Sequence, residues 1–306
     1  MRRTLSIRTI PRVLVVSALA ASTIAVAAPH AGAIATQIYA RTIDSLNLRT
    51  GPSTAYPIKL TISCGGRVYV TSGPYNTSWY RVSYGSTSGY VNGSYLVRRT
   101  ARTVTLLPTT AKVVALTFDA GSDRGYAASI LDTLKAKGVR ASFGVTGKWA
   151  AANPDLVLRM VREGHGMINH SYSHPSFTGF STSTSPLTLS QRRYQLSTAD
   201  STIRSITGIG TKPWFRPPYG DYDTCVRAHL WHDGYRYNVM WSTDSGGWMG
   251  LTQSQILARV LNGLRPGAIF ILHVGSASQD GPALATIVDQ IRAHGYGFAT
   301  VTGMLR

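Results

Sequence analysis

Two histidines four residues apart, His170 and His174 in "NHSYSHP", are residues whose type and spacing could do chemistry. On a helical turn that spacing puts both imidazoles on one side, able to share a cation. Alone, such a pair is more often structural. Here it has company, because several polar residues each follow an apolar run. Asp119 follows "VVALTF", Asp244 follows "YNVMWST", His273 follows "GAIFIL", Arg216 follows "PWF" and His170 follows "GMIN". Working side chains of parallel β/α barrels gather just past the C-terminal ends of the strands. The five residues are therefore expected on one rim, and a cation beside a carboxylate and a further imidazole suits metal-assisted hydrolysis. His165, His229, His232 and His294 lack such neighbours and read as surface or packing residues.

The elements that must position these residues change character along the chain. From Val113 onward, apolar strand-like runs alternate with amphipathic stretches such as "YAASILDTLKAKG", "PDLVLRMVREG" and "QRRYQLSTADSTIRSIT". That alternation predicts an α/β fold with a mostly parallel sheet or barrel. Residues 98–112, "RRTARTVTLLPTTAK", are polar, basic and proline-bearing, and the linker is placed at 100–112. Before it, short runs such as "RVYVT" and "WYRVSY" alternate in polarity between Gly, Pro, Ser and Asn, which predicts a small barrel of half-buried strands.

The first 33 residues read as an export signal. Arg2, Arg3, Arg8 and Arg12 precede the apolar run "VLVVSALAASTIAVAA", and "AGA" at Ala31–Ala33 offers small residues for cleavage. Ser17, Ser22 and Thr23 dilute the run, so a lasting membrane span is not expected once the signal is removed. Its loss lowers the formal charge from +18 to about +14. Acids are few, at 13 against 31 Lys and Arg. In an exported chain this balance favours an anionic wall or acidic polysaccharide. Nucleic acid is the default partner of a basic chain, but export and the scatter of the basic residues argue against it. Cys64 and Cys225 are far apart in sequence; a disulfide is permitted outside the cell, and two free thiols fit equally well.

Two resemblances cover most of the chain. Residues 34–99, through "LNLRTGPST", "WYRV" and "GYVNGSYL", resemble bacterial SH3-like domains, which commonly bind wall peptide or glycan. Trp79, Tyr80, Tyr90 and Tyr95 are expected mainly to fill that small core. Residues 113–306 resemble the NodB-homology polysaccharide deacetylases, carbohydrate esterase family four. Five motifs stand in family order: "TFDAG" at 117–121, "HSYSHP" at 170–175, "RPPYG" at 216–220, "DSGGW" at 244–248 and "ILH" at 271–273. The resemblance implies a distorted, incomplete β/α barrel. It also implies that His170 and His174 bind a divalent metal, usually zinc, and that Asp119 is the general base for the attacking water. His273 would protonate the departing amine, Arg216 would pair with Asp119, and Asp244 would hydrogen-bond His273. A backbone N–H near Tyr219 would help to hold the oxyanion, while Tyr219, Trp248 and Leu272 would shape the pocket for the acetyl methyl.

Two positions depart from the family pattern. Ala120 stands where a second aspartate normally supplies the third metal ligand, and Gly247 stands before Trp248 where an aspartate is usual. Three readings of Ala120 are open. Asp123 replaces the missing carboxylate, with Gly121 freeing the backbone; the competing role for Asp123 is a helix N-cap. Alternatively, the two histidines hold the ion with extra waters, or the metal is lost and the domain only binds glycan. The resulting expectation is a secreted, metal-dependent deacetylase of N-acetylated wall polysaccharide, with peptidoglycan ahead of chitin-like chains. An O-acetyl (xylan-type) esterase on the same machinery, and a non-catalytic wall-binding protein, are the alternatives.

Overall fold

The computed structural model describes residues 38–76 and 78–305. The expected export signal at 1–33 lies outside these residues. Among the described residues no helix is long and apolar enough to cross a membrane.

The N-terminal strands are short because turns interrupt them. They are β1 (Ile38–Thr42), β2 (Leu46–Arg49), β3 (Ile58–Ile62), β4 (Arg67–Tyr75), β5 (Trp79–Tyr84), β6 (Thr87–Asn92) and β7 (Leu96–Val97). They form one antiparallel sheet in the order β3-β2-β6-β5-β4-β1-β7. The alternation read from "WYRVSY" holds from Tyr80 onward: Tyr80, Val82 and Tyr84 face the core and Arg81 between them is exposed, while Trp79 is buried on the other face. The sheet closes on Ala40, Leu48, Ile62, Val68, Val82 and Val91, with Tyr80 and Tyr95 packed half-buried against them. Tyr90 instead meets the edge of Tyr75, with ring centroids 5.5 Å apart.

The second body follows at once. β8 (Arg102–Val104) falls inside the stretch expected to be a linker. It pairs in parallel with β13 (Tyr237–Val239), and Ala101, Val104 and Leu107 are buried. The basic residues on either side hide this short strand, in which Arg102 is exposed and Val104 is buried. The remaining strands are β9 (Val113–Ala120), β10 (Ser142–Val145), β11 (Gly166–Asn169), β12 (Trp214–Phe215), β14 (Thr243–Asp244), β15 (Ile269–His273) and β16 (Gly297–Phe298). Their order is β14-β15-β9-β10-β11-β12-β13-β8, with β16 attached to β9, and every pairing is parallel. The sheet is a curled half-barrel. β9 lies inside it and is buried from Val114 to Ala120, which explains a continuous apolar run with no polar alternation.

Helices α1 (Ala127–Ala136), α2 (Gly147–Ala152), α3 (Pro154–Arg162), α4 (Leu189–Thr207), α5 (Thr224–His232), α6 (Gln253–Asn262), α7 (Asp280–Ala293) and α8 (Val301–Met304) complete the fold. Local chemistry fixes several starts. Thr188 with Gln191 and Thr252 with Gln255 form capping boxes at α4 and α6. Pro154 opens α3, where its missing N–H costs nothing. Ile130, Leu134, Leu156, Met160, Val260, Leu284 and Ile287 pack onto Phe118, Phe143 and Phe270 as the main core.

The two sheets belong to one compact unit. Ile43 and Val97 of the barrel pack against Leu189 and Ala228. Cys64 and Cys225 form a disulfide between the bodies, which decides between the two expectations for these cysteines. Arg192 lies beside it, donating to Cys225 Sγ at 2.6 Å and to the Ile43 carbonyl at 3.2 Å.

Candidate active site

Strand register brings a carboxylate and an imidazole together. Asp119 on β9 and His273 on β15 are Cα partners in adjacent parallel strands, so their side chains leave the same face of the sheet. β11 ends at Asn169, level with Ala120 across β10, and delivers His170 just beyond it to the same rim. Arg216 follows β12, and its backbone N–H donates to the Asn169 carbonyl at 2.8 Å.

Arg216 is fully buried and organises the floor. Nη1 donates to Asp119 Oδ1 at 2.8 Å, Nη2 to Thr117 Oγ1 at 2.9 Å and Nε to the Val239 carbonyl at 3.1 Å. Burial alone would raise the Asp119 pKa, but the Arg216 guanidinium, then His170 and His273, outweigh it and hold the carboxyl below its ordinary value. The carboxylate is therefore ionised at neutral pH, and the expected Arg216–Asp119 contact is present.

The histidine pair is brought together without a helix. After β11 the chain turns through positive φ at Ser171 (66°) and His174 (62°), so the four-residue spacing works through a tight loop. Asn169 holds that loop: its Oδ1 accepts from Ser171 N at 2.9 Å, while its Nδ2 donates to Tyr235 Oη at 2.7 Å. Tyr219, with φ 59°, is a third strained non-glycine residue at this rim. The His170 and His174 rings lie 4.8 Å apart at 72°, and Tyr219 meets His174 at 4.7 Å.

His170 Nδ1–H donates to the Arg216 carbonyl at 2.9 Å, leaving the lone pair on Nε2, which stands 3.5 Å from Asp119 Oδ2. Burial lowers the pKa of His170, and pushes that of His174 down to about 4. Both rings are neutral at physiological pH, the state a metal ligand needs. Two imidazoles thus fit a divalent cation. At the position where the resemblance implies a third protein ligand stands Ala120, a fully buried apolar residue. Among the described residues no three His, Cys, Asp or Glu side chains are grouped to hold an ion.

Asp123 does not fill the gap. Its oxygens accept from Ser276 N at 2.9 Å and Ser276 Oγ at 2.5 Å, so it ties the loop after β9 to the loop after β15. It does not cap α1 either: that helix starts at Ala127 with Tyr126 in the cap position. Both expectations for Asp123 are corrected, since Ser276 offers it two donors.

The pocket has a volume of about 590 Å³, and Asp119, His170, His174, Tyr219, Asp244, Trp248 and His273 are among its lining residues. Leu272 is not. It points to the opposite face and packs in the core, while Ile271 and Trp241 reach the pocket; alternation along β15 accounts for the correction. Asp244 lines the pocket, but its oxygens accept from Gly246 N at 2.8 Å and Trp248 Nε1 at 3.2 Å. The expected Asp244–His273 hydrogen bond is therefore corrected, and Asp244 orients Trp248 instead.

Sequence reasoning missed Thr117, Asn169 as a loop anchor, Trp241 and Asp280. Asp280 is the residue with a visible signal, an acid opening the helix after the His273 strand. Burial works to lower the His273 pKa, but the Asp280 carboxylate beside it, then Asp119, raise it above the ordinary value. One pocket thus holds an ionised carboxylate, a protonatable imidazole and two neutral imidazoles, a set suited to hydrolysis of an acyl bond.

Comparison with known proteins agrees with this geometry. Residues 107–238 match the family model described as polysaccharide deacetylase, and residues 44–97 match bacterial SH3 domain. The peptidoglycan-N-acetylmuramic acid deacetylase PdaA of Bacillus subtilis is 30% identical over 200 residues, covering 64% of this chain and 73% of that protein. Among solved structures, the Bc1960 peptidoglycan N-acetylglucosamine deacetylase superposes with TM-score 0.60 at 29% identity, covering 66% of this chain and 92% of the other. A carbohydrate esterase family-four pseudoenzyme from Bacillus anthracis superposes with TM-score 0.60 at 26% identity, covering 68% and 70%. The chain belongs to the polysaccharide deacetylase family, hydrolases acting on amide bonds, and carries a bacterial SH3 domain ahead of the deacetylase domain.

Proposed function

We propose that this protein is an exported, metal-dependent N-deacetylase of cell-wall glycan, with peptidoglycan as its substrate. The domains are read as a signal at 1–33, an SH3-like wall-binding domain at 34–99 and a deacetylase domain at 113–306. The SH3-like domain supplies wall affinity, and the formal charge of about +14 left after removal of the signal suits an anionic wall. Peptidoglycan is favoured by relatives whose printed names give that substrate.

The observation that carries the reading is Asp119 and His273 side by side in strand register, on the rim that holds His170 and His174. Asp119, kept ionised by Arg216, takes a proton from water as the water oxygen bonds to the acetamide carbonyl carbon. His273, protonated, passes a proton to the departing amine nitrogen, and the carbon–nitrogen bond breaks to give acetate and a free amine. Tyr219 and Trp248 flank the site for the acetyl group. His170 and His174 are the residues that would hold the ion, most simply zinc, which when bound polarises the carbonyl and makes water more acidic.

Ala120 favours a second reading, a non-catalytic wall-binding protein. The two separate cleanly when purified protein is loaded with zinc and incubated with N-acetylated peptidoglycan fragments and with chitooligosaccharide. The deacetylase reading expects acetate, most from peptidoglycan, and less after chelation. No acetate from either glycan with zinc present, alongside retained wall binding, puts the binding reading in its place.

A further inference from the structure

Seven residues after His273 the chain reaches Asp280, the first residue of α7. An acid in a first helical turn normally meets the helix dipole from solvent, yet Asp280 is fully buried. Its Oδ2 accepts from the His273 backbone N–H at 2.8 Å and from Ser278 Oγ at 2.8 Å. His273 Nδ1 lies 3.9 Å from the same oxygen, an ion-pair separation longer than a hydrogen bond. His273 Nδ1 and Asp280 Oδ1 are both buried without a hydrogen-bond partner. A buried carboxylate beside a buried ring nitrogen is costly unless the ring carries the proton.

Gly247 supplies an independent observation. Its backbone does not occupy the left-handed region that favours glycine, unlike Gly246 (φ 72°) and Gly250 (φ 79°) on either side. Its lack of a side chain has a steric cause: a Cβ there would lie 2.5 Å from Asp280 Oδ1 and 2.5 Å from Ser278 Oγ. The Asp280 carboxylate fills the volume that a side chain from residue 247 would enter.

Several groups face His273. Asp119 comes from β9, Asp244 from β14 and Asp280 from α7, and the His170 and His174 imidazoles share the pocket. Asp119 is engaged by Arg216, and Asp244 by Gly246 and Trp248. Asp280 Oδ1, by contrast, is buried with no hydrogen-bond partner, like the His273 Nδ1 it stands beside.

We infer that Asp280, in place of Asp244, is the positioning residue of His273, directing its Nδ1–H so that Nε2 faces the departing amine, with Gly247 small because this carboxylate occupies its side-chain space. The inference rests on reading His273 as the acid of the proposed deacetylase. The raised His273 pKa, in which Asp280 is the first of the raising influences, agrees with it.

The test is a side-chain NMR titration of the full chain with labelled histidine, in chelator, which needs no turnover. His273 is expected to titrate above about 6.5 in the parent protein, and lower by about one unit or more in Asp280→Asn. Asp244→Asn should move it less. Gly247→Asp combined with Asp280→Ala grafts the carboxylate from the other side, and should return the titration to within about half a unit of the parent. A parent His273 titrating at or below about 6.5 overturns the inference whether or not any variant folds. So does a larger shift in Asp244→Asn than in Asp280→Asn, or a double variant that stays low. If the protein releases no acetate while His273 follows Asp280, the pairing stands and the deacetylase reading falls.

Discussion

Arg216 and Asp119 meet as a buried ion pair, Nη1 to Oδ1 at 2.8 Å, across 97 residues of sequence. The same arginine takes the His170 Nδ1–H on its carbonyl, so one residue fixes both the charge of Asp119 and the tautomer of a candidate metal ligand. Removing one partner of such a pair leaves an uncompensated buried charge.

Arg216→Met should therefore lower stability by about 3–5 kcal/mol. Asp119 then keeps the burial that raises its pKa and loses the guanidinium that opposed it. The acid limb of the pH–rate profile should move upward and activity at neutral pH should fall. Arg216→Lys should recover part of the stability, since one ammonium cannot reproduce bonds to Asp119, Thr117 and the Val239 carbonyl together. Urea unfolding and a pH–rate profile read the two effects separately.

The motifs were legible because each is polar residues appended to an apolar strand, and strand ends converge in a parallel sheet. Asp119, His170, Arg216 and His273 were found that way. Contacts set by volume were not legible: Asp280 reaches His273 only because Gly247 leaves room, and an acid at the start of a helix does not by itself announce that contact. The same limit misplaced Asp123, whose partner Ser276 lies 153 residues away. β8 was lost for a different reason, since three residues among basic neighbours give no usable period.

Ala120→Asp places an unpaired carboxylate in a fully buried position. Without metal the variant should melt below the parent protein, because a lone buried charge is costly. If His170 and His174 hold an ion, added zinc should raise the melting temperature of the variant more than that of the parent, as the new carboxylate completes the ligand set. Equal zinc responses in a thermal-shift assay would count against a cation at this pair.

The disulfide between Cys64 and Cys225 spans 161 residues and joins the barrel to the deacetylase domain. Denatured, non-reduced protein should show no free thiol. Reduction, or Cys64→Ala with Cys225→Ala, should cost about 3–5 kcal/mol. The loss is read as a lower urea midpoint with and without reductant.

Buried histidines give the stability a defined pH dependence. Burial lowers the pKa of His165, and of His174, from 6.5 to about 4. Between those values the unfolded chain binds the proton and the folded chain does not, so stability is full above about 6.5 and declines as pH falls toward 4. Each group contributes on the order of 2–3 kcal/mol across that window. The depressed carboxylates Asp119 and Asp221 lose their contribution only below their ordinary range, at lower pH. The urea midpoint should fall from pH 7.5 to pH 5, and His165→Asn should flatten part of that slope. An unchanged slope in this variant would contradict the assignment.

The central claim is that Asp119 and His273 perform acid–base chemistry on a glycan acetamide beside the His170–His174 pair. The most direct measurement is acetate released from peptidoglycan by zinc-loaded protein, compared with Asp119→Ala and His273→Ala variants whose wall binding is followed by sedimentation. The account predicts release by the parent, a fall of about 100-fold or more in each variant, and undiminished sedimentation in all three. Release that persists in Asp119→Ala, or is absent from the zinc-loaded parent, would contradict it.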